Sequence, residues 1–211
     1  MDVVYGGGKY GKEAVEWLIE NGREFTVIDV DENCLVRREI ELERHGGSFV
    51  KGGVKELLRI VEEEKPELIF PTAPIHVAAA LLVEKFDLSV WHEGIDLVLP
   101  GIPIKLIVSA GRGSIVVSYN RDYDCLPRCS APDVCPVTKI RKPAPMYSLL
   151  EFAIPDGFVV KSHYLKPGLG AIRGEDVEEL FKWAKGREEL VVGTACRCHG
   201  VVTALKAKRH P

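Results

Sequence analysis

The stretch VVYGGGKYGKEAVEWLIENGREFTVIDV, residues 3–30, decides the expected fold. Its opening residues favour a short strand. KEAVEWLIENG, residues 12–22, favours a helix because apolar side chains recur on one face and a glycine ends the segment. FTVIDV, residues 25–30, favours a second strand. The order strand, glycine turn, helix and strand predicts an α/β fold.

The turn carries a dinucleotide-binding pattern. Gly6, Gly8 and Gly11 match G-x-G-x-x-G: the first glycine allows the tight turn, the second lets the backbone approach a pyrophosphate, and the third lets the helix pack on the strand. Asp29, about 20 residues further on, can accept hydrogen bonds from a ribose diol and would repel a 2'-phosphate. The pattern predicts NAD rather than NADP. A turn that binds nothing, or that binds AMP or FAD, is the alternative.

The alternation of helices and strands continues towards residue 91. Helices are expected near residues 32–45, 54–64 and 75–86, and strands at residues 48–51, 68–70 and 89–91. Such alternation implies a parallel sheet with right-handed crossovers. We therefore expect a Rossmann-like, doubly wound parallel sheet over residues 1–102. His76 follows the fourth strand, at the edge where such sheets bind ligands, and is a candidate acid, base or ligand; the alternative is a polar cap or surface residue.

The sequence VVYGGGKYGKEAVEWLIENGREFTVIDVDEN, residues 3–33, resembles the NAD-binding domain of the potassium-uptake regulators, the RCK or KTN family. It is also similar to the opening of siroheme-synthesis dehydrogenases. The resemblance covers residues 1–90 and implies that the three glycines and the aspartate named above contact the dinucleotide. The regulators usually carry Gly-Asp after their third strand, whereas this chain has KGG at residues 51–53. This chain therefore has no acid at the position of the regulators' usual adenosine-side contact.

Residues 103–211 predict a smaller α+β domain. Two β-branched runs joined by AGRG, residues 110–113, favour a hairpin, and residues 175–185 favour a helix because apolar side chains repeat at helical spacing. An apolar segment is expected at residues 146–154, and strands at residues 158–164, 189–194 and 201–206.

This second half is rich in cysteine. The segments CLPRCSAPDVCP, residues 125–136, and CRCHG, residues 196–200, contain five of the six cysteines. The candidate metal ligands are Cys125, Cys129, Cys135, Cys196 and Cys198. Cysteines in a reducing compartment favour metal binding or redox chemistry over disulfides, and a bound metal would order the proline-bearing loop. His199 is either a further ligand or a loop histidine.

The spacing of the thiols bears on the kind of metal. Two thiolates on one zinc ion lie about 3.8 Å apart, given Zn–S bonds of about 2.3 Å. Alternate residues of an extended strand lie roughly 6.5 to 7 Å apart. An extended Cys-x-Cys therefore favours an iron–sulfur cluster slightly over zinc, and a bent loop would restore zinc. Reduced thiols, or a reversible redox pair without metal, are the remaining alternative.

Composition limits the function classes. With 28 basic and 31 acidic residues the net charge is −3, so no global field would hold nucleic acid or an anionic membrane. MDVVYGGGKYG lacks the features of a signal peptide, and a cytoplasmic location is expected.

The combined features predict a cytosolic redox protein, or a redox or nucleotide sensor, that binds NAD and a cysteine-ligated metal or iron–sulfur centre. An NAD-dependent oxidoreductase acting on an unknown small molecule falls within this prediction. The alternative is a non-enzymatic NAD-binding regulator with structural zinc or free redox-active thiols. A homodimer is compatible with either function, since Rossmann domains often pair.

Overall fold

The computed structural model describes residues 1–126 and 129–208 and has a mixed α/β fold with two mixed sheets. The α-helices are α1 (Lys9–Glu20), α2 (Leu35–Glu39), α3 (Val54–Glu64), α4 (Val77–Phe86), α5 (Met146–Ala153) and α6 (Gly174–Ala184). The strands are β1 (Asp2–Tyr5), β2 (Phe25–Asp29), β3 (Gly47–Lys51), β4 (Leu68–Pro71), β5 (Leu88–Val90), β6 (Ile107–Gly111), β7 (Ser114–Ser118), β8 (Phe158–Lys161), β9 (His163–Lys166), β10 (Leu169–Arg173), β11 (Glu189–Ala195) and β12 (His199–Ala207). Short 3-10 helices cover Leu42–His45, Glu93–Leu97, Leu99–Gly101 and Ile104–Leu106.

The first sheet has the strand order β3-β2-β1-β4-β10-β9. Strands β1 to β4 are parallel, as expected, but β10 pairs antiparallel with β4 and β9 antiparallel with β10. The predicted parallel arrangement therefore holds for β1 to β4 but not for the whole sheet, which is mixed. A strand from the second half of the chain, pairing Ile172 with Ile69, covers the edge of β4 that a further parallel strand would have occupied.

The second sheet has the order β6-β7-β12-β11-β8, with β5 also paired to β12. The predicted hairpin is confirmed, because β6 and β7 are antiparallel neighbours. The strand expected at residues 158–164 is instead two strands in different sheets. Ser162 lies at the crossing, where its N–H donates to the carbonyl of Ala195. The helix expected at residues 32–45 is likewise divided, into α2 and a 3-10 turn.

Helices cover both faces of each sheet. One core, which includes Leu18, lies between α1 and the outer face of the first sheet. A second core, which includes Leu81 and Phe181, joins α3, α4 and α6 to the facing sides of both sheets. A third, which includes Leu150, lies between α5 and the far face of the second sheet. Burying each such side chain contributes roughly 1.5–3 kcal/mol. Because α4 and α6 bury their side chains against both sheets in the second core, they hold the two sheets together.

Elements from both sides of residue 102 exchange between the sheets. Strand β5 precedes that residue but pairs with β12, whereas β9 and β10 follow it but complete the first sheet. The division into units 1–102 and 103–211 stays a prediction about independent folding. Among the described residues, no helix is long and apolar enough to cross a membrane.

Candidate functional site

The glycine turn lies at the carboxyl end of β1, and its geometry requires two of its glycines. Gly6 has a φ of +111°, and a Cβ there would lie 2.7 Å from the backbone nitrogen of Ala73. A Cβ on Gly11 would lie 1.9 Å from the carbonyl oxygen of Gly6. The turn thus packs against both the segment after β4 and the first turn of α1, which side chains would prevent.

Gly8 differs from its neighbours because it faces open space. It is the N-cap residue of α1, and a Cβ there would meet no described atom within 4 Å. The first N–H groups of an α-helix have no partner within the helix, and they carry a partial positive charge. The open side of Gly8 is therefore where an anionic group could approach the start of α1.

Asp29 fixes the turn from the end of β2. Its Oδ2 accepts the N–H of Gly7 at 2.5 Å, and its Oδ1 accepts the N–H of Asp31 at 2.8 Å. Each carboxylate oxygen keeps a free lone pair, so these bonds leave room for a further donor. Gly6, Gly8, Gly11 and Asp29 are therefore brought together at one edge of the first sheet.

Two further groups lie under this edge, of which Glu56 was not singled out from the sequence. The side chain of Cys34 lies directly beneath the turn, since a Cβ on Gly7 would be 2.4 Å from its sulfur. The Oε2 of Glu56 accepts the N–H of Gly53 at 2.8 Å and so caps α3. A glutamate three residues after the N-cap residue of a helix is a recognisable capping pattern. That spacing between Gly53 and Glu56 was the available signal.

His76 lies at the start of α4 with its ring between the two sheets. Its Nδ1 is 2.8 Å from the hydroxyl of Thr203, and its Nε2 is 2.9 Å from the hydroxyl of Thr194. The Thr203 hydroxyl is in turn 2.9 Å from that of Ser114. Burial lowers the pKa of His76 from 6.5 to about 3. The ring is therefore neutral near pH 7, and one threonine hydroxyl donates to it while the other accepts.

The two cysteine segments meet at one end of the second sheet. They enclose a cavity of about 20 Å³, and Cys125, Cys129, Cys135 and Cys198 line it together with His199. Residues 127–128 of the longer segment lie outside the described residues. A cavity of this size holds one water-sized atom.

The shorter segment forms the tight turn between β11 and β12. The N–H of Cys196 donates to the carbonyl of His199 at 3.0 Å, so CRCH is bent. The expectation of an extended Cys-x-Cys is wrong for this reason. The sulfur of Cys196 accepts the N–H groups of Cys198 at 3.4 Å and His199 at 3.3 Å. Burial raises the pKa of Cys196, but these bonds and the His199 side chain outweigh it, and the net shift is downward.

Cys135, in the longer segment, has the same kind of surroundings. The backbone N–H groups of Val137 and Thr138, and the Thr138 hydroxyl, lie near its sulfur and act to lower its pKa. Burial raises the pKa of Cys135, and these groups, with the nearby charge of Lys142, bring it below its usual value. One cysteine from each segment therefore has two backbone N–H groups directed at its sulfur, an arrangement that favours the thiolate.

Cys198 lies between the segments. Its sulfur accepts a hydrogen bond from the ammonium of Lys142 at 3.1 Å. Burial raises its pKa, Lys142 opposes that shift, and the charges of Cys196 and Cys129 add to it. Sulfurs from both segments are thus within electrostatic range of one another. No sequence motif indicated Lys142.

Cys125 is bound by side chains. Its sulfur is 3.4 Å from His199 Nε2, and it accepts a hydrogen bond from Asn120 Nδ2 at 3.6 Å. The other ring nitrogen of His199 is 3.7 Å from the sulfur of Cys196. Among residues 1–126 and 129–208, no three His, Cys, Asp or Glu side chains already form a group that could hold a metal ion. All six cysteines are free thiols.

Comparison with known proteins identifies relatives of the whole chain. Residues 1–77 match a family model described as "Uncharacterized protein, N-terminal domain", and residues 78–208 match one described as "Uncharacterized protein, C-terminal domain". A curated protein from Archaeoglobus fulgidus, described as "Uncharacterized protein", is 55% identical over 214 residues, covering 98% of this chain and 99% of that protein. No solved structure matches the chain significantly.

Proposed function

We propose that this chain, which belongs to the family that those two models define, is a non-enzymatic NAD-binding regulator. In this proposal, cysteines at the end of the second sheet hold a single metal ion, and the protein responds to nucleotide or to the state of the metal site. The observation that carries the proposal is the meeting of two distant cysteine segments around one small cavity.

The cysteine surroundings fit a bound metal. Thiolates, not thiols, bind metal ions, and N–H groups directed at Cys135 and Cys196 favour the thiolate form. A neutral thiol is stabilised much less than a thiolate by hydrogen bonds from such N–H donors. The described residues of the loop between β7 and α5 have little regular structure, so a metal joining this loop to the β11–β12 turn would convert binding energy into local folding energy.

A single ion fits better than an iron–sulfur cluster. The bent CRCH turn removes the geometric objection to zinc, and the cavity of about 20 Å³ is the size of one atom. Zinc on four thiolates has no open coordination position, so it would stabilise the fold rather than activate water. Four of the five clustered cysteines would suffice to hold it.

The glycine turn fits a dinucleotide. The order β3-β2-β1-β4 matches the first four strands of the Rossmann order 3-2-1-4-5-6, which supports a Rossmann-like interpretation of residues 1–102. The open side of Gly8 would receive the pyrophosphate, and Asp29 the adenosine ribose. A carboxylate at that position repels a 2'-phosphate, which favours NAD. The resemblance to the RCK or KTN regulators agrees with this assignment.

His76 favours a regulator over a dehydrogenase. Its buried, neutral ring has a pKa of about 3 and both nitrogens occupied by threonine hydroxyls, which does not suit a general acid or base near pH 7. Its position instead links the two candidate sites. Thr194, which contacts the ring, lies two residues before Cys196, about 6.5 to 7 Å along an extended strand.

Elemental analysis tests the metal site. The wild type and Cys34→Ala are expected to contain the same metal, one ion per chain, since Cys34 lies beneath the glycine turn. Cys135→Ser and Cys198→Ser are expected to lose it together, because they remove ligands from different segments. Colourless protein identifies zinc, and broad visible absorbance an iron–sulfur cluster. Full retention of metal in both serine variants would remove the proposal's main support.

Calorimetric titration tests the nucleotide site. NAD is expected to bind at least about tenfold more tightly than NADP, a difference of roughly 1.4 kcal/mol. Gly8→Ala should abolish binding, because the new methyl group enters the open space in front of α1. Glu20→Ala, at the exposed far end of α1, is the matched control and should bind normally. Equal affinities for the two nucleotides, or unchanged binding by Gly8→Ala, would contradict the assignment.

A further inference from the structure

We infer that the ammonium of Lys142 is a positioning group of the cysteine site, where it offsets the negative charge of the thiolates and holds Cys198 towards the ion. The inference rests on the proposed function, because it concerns how the proposed metal site retains its ion. That proposal names sulfur ligands alone. Lys142 adds a residue outside the ligands on whose charge metal binding depends.

The cavity between the two cysteine segments would concentrate negative charge around a bound ion. The cysteines that line it are Cys125, Cys129, Cys135 and Cys198, and a structural zinc ion takes four ligands. A divalent ion on four thiolates leaves the centre with two more negative charges than positive ones. Cys135 is buried and Cys198 is half-buried, so water screens this excess only in part. Buried charge of this kind needs a paired group of opposite sign.

Lys142 places a positive charge against this cavity. The half-buried residue lines the cavity wall, and its Nζ donates a hydrogen bond to the sulfur of Cys198 at 3.1 Å. The same Nζ donates to the carbonyl of Pro132, and the backbone N–H of Lys142 donates to the carbonyl of Asp133 at 2.9 Å. These two bonds fix Lys142 against the longer cysteine segment. Its bond to Cys198 therefore joins the two segments at the cavity.

The hydrogen bond on Cys198 differs from those on the other cavity sulfurs because its donor is charged. The sulfur of Cys125 accepts the neutral amide of Asn120 at 3.6 Å, and that of Cys135 lies near two backbone N–H groups. A charged donor makes a bond roughly twice as strong as a neutral one. Groups that orient metal-bound ligands in this way typically contribute about 10- to 100-fold to metal affinity.

Asn120 gives independent support for a cation in the cavity. The residue lines the cavity and is only 6% exposed. Its Oδ1 is buried with no hydrogen-bond partner among the described residues, while its Nδ2 donates to Cys125. Buried polar atoms are rarely unpaired. Because an ionised sulfur can only accept hydrogen bonds, it keeps the amide nitrogen turned towards Cys125 and leaves the oxygen available to a positive ion.

Titration of the full-length, metal-free protein with cobalt(II) tests the role of Lys142. The wild type should bind one ion per chain and show a sulfur-to-cobalt charge-transfer band. Lys142→Met, which keeps the length of the side chain without its charge, should raise the Kd about 10- to 100-fold. Its band should move to longer wavelength, because removing a nearby positive charge raises the energy of the sulfur electrons.

Two further variants separate the charge from the shape of the side chain. Lys142→Arg restores a positive donor and should recover most of the affinity and the wild-type band. Lys139→Met is the matched control, since the exposed ammonium of Lys139 donates to the carbonyl of Pro136 at 2.8 Å in the same loop and bonds to no described sulfur. It should bind cobalt like the wild type.

The outcomes distinguish this inference from the proposed function. A Kd within about twofold of the wild type in Lys142→Met, or an unmoved band, would overturn the inference and leave the metal site standing. Should Lys142→Met bind no cobalt at all, Lys142→Arg decides: recovery supports the charge, and equal failure overturns it. A wild type that binds no cobalt would remove the metal site itself, and the inference with it.

Discussion

Replacing His76 with glutamine should change how stability depends on pH. The folded protein binds a proton at His76 only near pH 3, whereas the unfolded chain binds one near pH 6.5. Stability from the neutral ring is therefore fully present above pH 6.5 and is lost as the pH falls from 6.5 towards 3. Glutamine does not titrate in this range, but it keeps a donor and an acceptor for the two threonine hydroxyls.

The magnitude follows from the two pKa values. Between about pH 8 and about pH 5, preferential proton binding by the unfolded chain should reduce wild-type stability by about 2 kcal/mol, with a limiting slope of about 1.4 kcal/mol per pH unit. His76→Gln lacks this contribution. Its stability deficit relative to the wild type at about pH 8 should therefore shrink by about 2 kcal/mol at about pH 5.

Urea unfolding at several pH values measures this difference, because each transition gives a free energy by linear extrapolation. His45→Gln is the matched control for the substitution itself, since His45 lies exposed on a 3-10 turn. Parallel pH curves for the wild type and His76→Gln would refute the reasoning. They would mean that the folded protein protonates His76 normally, which would restore an acid–base role for this residue.

Three further substitutions test the glycine turn, a buried ion pair and the core beneath α5. Gly11→Ala should lower stability by about 3 kcal/mol and reduce the melting temperature, because its methyl group would lie 1.9 Å from the Gly6 oxygen; an unchanged melting curve would contradict the turn geometry. Arg23→Met should cost about 3 kcal/mol in urea unfolding, since it leaves the fully buried carboxylate of Asp2 without its ion-pair partner; a loss under about 1 kcal/mol would class the pair with exposed salt bridges. Leu150→Ala should cost about 2–5 kcal/mol by opening a cavity between α5 and the second sheet, and a smaller loss would show that this core collapses around the gap.

Local sequence patterns were sufficient for most elements of the first sheet. Strands β1 to β4 and helices α1, α3 and α4 lie where the apolar periodicity placed them, to within about three residues. Each helix buries one stripe of its side chains and each strand one face, so apolar residues recur at regular spacing in the sequence. The α2 region was predicted less well. The α2 segment is held against the glycine turn, because the N–H of Val36 donates to the carbonyl of Gly7. No local sequence pattern encodes that contact.

Strand pairing could not be predicted from such patterns. LGAIR, residues 169–173, forms β10 in the first sheet, and LSV, residues 88–90, forms β5 in the second. Both segments are short and apolar, and their partners are distant in sequence. Which edge they join depends on the edges that other strands leave open, and that is a property of the whole fold.

The candidate cysteine site was predictable in its residues but not in its geometry. The clustering of five cysteines in two segments was evident from the sequence, whereas the bend of CRCH depends on the β11–β12 hairpin. Asn120 reaches the site because β7 pairs with β12 in the register that places Ser118 opposite His199. A shift by one residue would turn the side chains of β7 to the other face, so the contact of Asn120 with Cys125 could not be found without the fold.

A series of hydrogen bonds through His76 fixes the position of the glycine turn relative to the cysteine site. Apolar contacts between α4 and the second sheet would tolerate sliding, since dispersion and burial are not directional. The linked groups Thr194, His76, Thr203 and Ser114 are directional, and each separation is within 2.9 Å. A shift of α4 along β11 would break these bonds in a buried environment, where unpaired polar groups are costly. The segment after β4, which contacts the glycine turn, is therefore held in register with the hairpin that carries Cys196 and Cys198.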